Sequence, residues 1–169
     1  YAIEFFVTEV KDWGENIELD ATINEKTENS ETPGVSTGIE NGHEWVDLGL
    51  DVMWATCNVG ADSPDEYGEY YAWGEVSTKS IYTAYKCETW EREIDNIKGT
   101  NCDVAHVEWG GSWRMPTKEE FDELREKCNW ERKGSGCKVT GPNGNSIYLP
   151  AAGFRSGETL HQGGWGSFY

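Results

Sequence analysis

Residues 113–121, "WRMPTKEEF", constrain the fold more than any other stretch of this chain. Pro116 disfavours a helical conformation at Met115. Thr117 then stands where a helix N-cap belongs, and Glu120 three residues later completes a capping box. From Lys118 to about Cys128 the apolar positions Phe121, Leu124 and Cys128 recur on one helical face. Glu123 and Lys127 form a favourable i,i+4 pair on the other. The spacing predicts a helix over 118–128, entered abruptly from an extended segment. Arg114 is expected to bond a backbone carbonyl or a carboxylate, with Trp109 and Trp113 buried.

Strand patterns surround that helix. "AIEFFVTEV" and "NIELDATI" alternate apolar and polar residues and predict a β-hairpin over 1–23. Residues 24–42, "NEKTENSETPGVSTGIENG", have no aromatic residue and read as a linker. A main domain follows over 43–169. It opens with strands over Trp45–Leu50 and Val52–Cys57, connected at Asp51. "EYYAWGE" reads as buried, and 77–103 as an irregular excursion. After the helix, Cys137–Thr140 and Ser146–Leu149 form a hairpin about a Gly-Pro-Asn-Gly turn. With the many glycines, these elements point to a loop-rich β or α+β fold.

Composition narrows the function classes. Thirty-one acids against fourteen bases give a formal charge of −17, which argues against nucleic acid as a partner. No apolar run approaches the roughly 20 residues that span a bilayer. Nine Trp and eight Tyr supply core volume that the few aliphatics do not. Twenty glycines imply many turns. The five cysteines contain no C-x-x-C pair. The odd count leaves at least one thiol unpaired or paired outside this chain. Cys128 and Cys137, on either side of a short loop, are the pair most able to form a disulfide, and the rest read as buried free thiols.

No G-x-S-x-G, H-E-x-x-H or P-loop is present, so catalysis has no motif to stand on. His43, His106 and His161 are scattered, and His106 reads as structural. Asp47, Asp62, Asp65, Glu66 and Glu69 lie near one another in sequence, without the spacing of a dedicated calcium loop. They read first as a solvated surface. The aromatic and planar polar residues of the C-terminal loop, Arg155, His161, Gln162, Trp165 and Tyr169, are the candidate ligand contacts. The other reading of Trp165 and Tyr169 is as core residues.

"WVDLGL", "WATCNVGA", "YGEYYAWGE", "AHVEWGGSWRMPTKEEFDEL" and "GNSIYLPAAGFR" together resemble the Fibrobacter-type major paralogous domain, over roughly 43–169. That family occurs in exported, often lipid-anchored surface proteins of gut and rumen bacteria. The "WRMPT" element is also similar to one in the formylglycine-generating-enzyme and C-type-lectin-like superfamily. The resemblance implies an α+β, C-type-lectin-like fold with a small twisted antiparallel sheet, and an extracellular or outer-membrane location. It also implies further strands beyond Tyr169, so that the domain is expected to be C-terminally incomplete. Calcium is a cofactor of many lectin-like folds, which keeps it as an expectation with no ligands assigned. "FFVTEVKDWGENIELDATI" resembles the closing hairpin of fimbrillin-like (Mfa-type) pilus subunits. The two resemblances together imply a fimbrial adhesin, not an enzyme, whose partners are a glycan or a surface protein. They also imply pilus subunits that complete the fold by strand donation. Two alternatives remain: a retroelement-diversified lectin-like protein with varied C-terminal loops, and an enzyme of the formylglycine-generating type.

Overall fold

The computed structural model of the chain describes residues 7–8, 36–92, 94 and 96–161. They form a small α+β fold with few helices and several antiparallel sheets. In chain order the elements are β1 (Val7–Thr8), β2 (Thr37–Glu40), β3 (His43–Val46), β4 (Met53–Ala55), a 3-10 turn (Ala84–Lys86), α1 (Val104–Trp109), β5 (Trp113–Arg114) and α2 (Lys118–Lys127). Then come β6 (Asn129–Lys133), β7 (Gly136–Thr140), β8 (Ser146–Pro150), β9 (Phe154–Ser156) and β10 (Thr159–His161). The sheets run β2-β3-β4-β1-β5, β6-β7-β8 and β10-β9. Among the described residues no helix is long and apolar enough to cross a membrane.

The helix expected over 118–128 is α2. Thr117 accepts from the Glu120 N–H, Glu120 accepts in return from the Thr117 N–H, and Cys128 is the C-cap. Leu124 is fully buried, with Phe121 and Cys128 packed beside it. Val46, Leu48, Trp54, Val139, Ile147 and Leu149 close over the same cluster. The helix therefore lies between the strands β3 and β4 and the β6–β8 sheet. The expected 137–149 hairpin is β7–β8, in register from Gly136↔Pro150 to Thr140↔Ser146. Its turn docks on the β3–β4 connection, where Asn143 and Asn145 both donate to the Asp47 carbonyl. Gly141 sits so close to the Leu48 carbonyl that no Cβ fits there.

Four expectations are corrected. Residues 37–42 are not linker: Thr37–Glu40 pair with His43–Val46 about an Asn41-Gly42 turn, both residues at positive φ. Gly38 stands opposite Trp45, whose indole lies where a Cβ would be, so a polar, glycine-containing strand is stabilised by its partner's ring. Val7–Thr8, expected in an appended hairpin, pair with both β4 and β5 inside the main sheet. Those two strands would otherwise leave backbone donors and acceptors unmatched beside the buried Trp54 and Trp113. The remainder of the expected 1–23 hairpin and of the 24–42 linker, up to residue 35, lies outside the described residues. The opening strands of the main domain are shorter than expected, with 47–52 forming the connection.

The fourth correction concerns the disulfide. All five cysteines are free. Residues 129–133 form β6 rather than a loop, and its register sets Cys137 opposite Arg132. That point is four residues from Cys128, about 13 Å at roughly 3.3 Å per residue. A disulfide needs Cα atoms within about 7 Å. Burial also pushes the Cys57 and Cys128 thiols above their ordinary range, which keeps them protonated and weakly nucleophilic at neutral pH.

Candidate functional site

The "WGGSW" stretch is tied down on all sides. Gly110 and Gly111, both at positive φ, turn the chain from α1 into β5. Asn41 donates to the Trp109 carbonyl, and the Trp113 indole N–H donates to the Glu40 carbonyl. The Glu40 carboxylate accepts from the Ser112 N–H and hydroxyl, each at 2.6 Å. Trp109 and Trp113 meet edge to face at 4.8 Å, and His43 stacks on Trp109 at 4.1 Å. Both indoles are buried, as expected.

Burial lowers the His43 pKa from its ordinary 6.5. The unfolded chain therefore takes up this proton first as the pH falls. The resulting stability is complete above 6.5 and is lost as the pH drops through the lowered folded-state value. His43→Phe, which keeps a ring on Trp109, is expected to flatten the pH dependence of the denaturation midpoint just below the ordinary 6.5. An unchanged pH profile in the variant would contradict that role.

The segment that follows is held by two buried charged groups. Asp103 has no exposed surface and accepts from the N–H groups of Gly99, His106 and Met115. Arg114 is 3% exposed. It makes a two-bond contact with Glu120, at 2.8 and 2.6 Å, and donates to the Met115 carbonyl. The expected structural role of Arg114 is what the structure contains. Burial on its own would raise the Glu120 carboxyl. Hydrogen bonds from Arg114 and the Thr117 N–H, with the Arg114 and Lys98 charges, outweigh it and hold the carboxyl below its ordinary range.

This rigid frame forms one wall of an open cleft. Met115, Pro116, Thr117, Lys118 and Phe121 line it on one side, and Tyr71, Ala72, Trp73, Gly74 and Glu75 on another. Ile97, Cys102 and Val104 complete a cleft of about 420 Å³ whose surface is mainly apolar. A second, more polar groove of about 510 Å³ adjoins it, sharing Gly74, Glu75 and Cys102. "EYYAWGE" is expected to be buried; Tyr70 and Tyr71 are, but Trp73 is 49% exposed. Its indole N–H donates to the Ile94 carbonyl, and its own carbonyl accepts from the Thr89 hydroxyl. Gly74, at φ +75°, makes the turn that sets the ring there. Two more exposed aromatics, Tyr85 and Trp90, flank groove residues Lys86 and Thr89 in sequence.

The residues singled out in the C-terminal loop stand elsewhere. Arg155 and His161 share the β9–β10 hairpin and are both engaged. The Arg155 guanidinium lies 5.3 Å from the Tyr70 ring centre, and His161 stacks on Phe154 at 4.9 Å. Tyr70 is itself pinned, donating to the Ala152 carbonyl and accepting from the Tyr82 hydroxyl at its backbone oxygen. Gln162, Trp165 and Tyr169 lie outside the described residues. Trp73 carries one sequence signal: it precedes Gly74 and follows two tyrosines, but nothing in that pattern separates a buried ring from an exposed one.

Among the described residues no group of three or more His, Cys, Asp or Glu side chains is arranged to hold a metal ion. Three of the five acids weighed for calcium bond within local turns. Asp47 accepts from the Gly49 N–H, Glu66 from the Asp62 N–H and Asp65 from the Ser63 hydroxyl.

The chain is thus a small α+β protein with an open, aromatic-lined cleft beside a polar groove. No protein-family model, curated protein or solved structure matches it.

Proposed function

We propose that this chain is a ligand-binding module of an exported surface protein, the lectin-like domain of a fimbrial or surface adhesin, and that it binds a saccharide without catalysis. The observation that carries this reading is the half-exposed Trp73 beside an apolar cleft that continues into a polar groove. A sugar ring has an apolar face and a rim of hydroxyls. A flat indole matches the first, and clustered hydroxyls and charged groups match the second. Ser77, Thr78 and Ser80 supply such hydroxyls.

The finer fold assignment belongs to the same proposal. An extended segment enters a capped helix that packs on twisted antiparallel strands, which supports a C-type-lectin-like architecture. The sequence resemblance described above supports the surface location, and assembly with pilus subunits is part of that layout.

A glycan array probed with and without EDTA tests the reading. For the best binder, Trp73→Ala is expected to weaken affinity about 10- to 30-fold, equivalent to roughly 1.4–2 kcal/mol, with little change in Tm. Arg155→Ala is expected to leave binding intact. EDTA has no effect if ring stacking carries the affinity, whereas its abolition of binding would assign the site to calcium. An empty array would sink the saccharide reading.

A further inference from the structure

The charge of the polar groove is unlike that of the chain around it. The sequence carries −17 overall, yet Lys79, Lys86 and Arg92 line this one groove against only Glu75 and Glu88. Glu75 is already engaged: it is buried, ion-paired with Lys79, and accepts from the Glu88 N–H at 2.6 Å. Lys79 is engaged too, pairing with Glu75 and donating to the Lys86 carbonyl at 2.7 Å. These contacts fix the groove wall and account for one cation and one carboxylate. Among the described residues no carboxylate pairs with the Lys86 ammonium or the Arg92 guanidinium.

We propose that this groove is an anion subsite, and that the saccharide it selects is acidic, carrying a carboxylate or a sulfate ester on the residue next to the ring stacked at Trp73. The inference rests on the saccharide reading above. Guanidinium and ammonium groups recognise both anions through charge-assisted hydrogen bonds, and Arg92 adds the planar two-donor geometry. The rest of the molecule sharpens the selection. A strongly negative surface repels an anionic ligand, so weak binding elsewhere is suppressed and the groove becomes the favoured place for the charge. The cleft supplies what the anion subsite lacks, an apolar face for the neighbouring sugar. Gly74 belongs to both surfaces: its φ of +75° strains any other residue, and an added Cβ would crowd Thr89 and Ile94 side-chain atoms at 3.3 Å.

Calorimetry at fixed ionic strength tests this with three probes: a galacturonic acid trimer, its carboxyl-reduced neutral form and a sulfated galactose trimer. At least one anionic trimer is expected to bind tenfold or more tighter than the neutral one. Which of the two does so distinguishes carboxylate from sulfate recognition. Lys86→Gln/Arg92→Gln is expected to erase that preference, bringing each anionic trimer to the affinity of the neutral one in the same variant. Equal affinity for charged and neutral forms, or a preference that survives in the double variant, overturns the anion subsite while the saccharide reading stands. The anion subsite is overturned in the same way if none of the three binds but neutral glycans bind on the array. If the array is also empty, both readings fall.

Discussion

Asp103→Ala is expected to destabilise the fold by about 3–6 kcal/mol, a large share of the roughly 5–15 kcal/mol typical of a domain. The side chain is fully buried, and its two oxygens accept from three separate backbone N–H groups. The Gly99 contact closes the end of the long excursion. The His106 contact caps α1, and the Met115 contact fixes the strand leading to α2. Alanine would leave these donors unsatisfied in the interior, at roughly 1–3 kcal/mol each where no water reaches them. The helix would also lose its cap, worth about 0.5–2 kcal/mol and partly counted already in the His106 donor. Asp103→Asn retains one acceptor oxygen and is expected to lose less. Urea denaturation of both variants checks this order, and a loss below about 1 kcal/mol for alanine would contradict it.

Arg114→Ala is the second large effect, expected at about 3–5 kcal/mol. Removing one partner of a buried pair leaves the other charge uncompensated. Here Glu120 would keep Lys98 at 3.7 Å and the Thr117 N–H but lose both guanidinium bonds. The pH dependence provides a separate check. Glu120 is held below its ordinary 4.5 in the folded chain, so its contribution is complete above 4.5 and is lost as the pH falls through the folded value. In Arg114→Ala that acid-side loss shrinks, because the main group holding the carboxyl down is gone. Arg114→Leu/Glu120→Leu is expected to recover part of the lost stability. A single variant as stable as the parent, with an unchanged acid limb, would mean that the pair does not hold this junction.

What is legible in the sequence is whatever a local rule encodes. Pro116, Thr117 and Glu120 specify where α2 starts, and Gly141 to Gly144 specify the β7–β8 turn. Strand β6 escapes sequence reasoning because four of its five residues are exposed and only Trp130 turns inward, so no alternation marks it. Helix α1 escapes it because it has six residues and an Asp cap without the reciprocal Glu. β2 looks like linker because its partner, Trp45, supplies the apolar surface that its own Gly38 lacks.

The candidate site is less legible still. Its walls come from 71–75, 97–104 and 115–121, which only the fold brings together. "MPTK" reads as scaffold, and it is scaffold; the same rigidity makes it one wall of the cleft. The aromatic and polar residues of 155–169 have the composition of a site. Within the described part, Arg155 and His161 are occupied with Tyr70 and Phe154.

A residue-resolved NMR titration of the chain with its best-binding saccharide locates the bound sugar. Chemical-shift changes are expected at 71–75 and 115–118, with the Trp73 indole N–H among the largest, and along 77–92. Changes centred on 154–161, with the Trp73 signal unmoved, would contradict the saccharide site at Trp73.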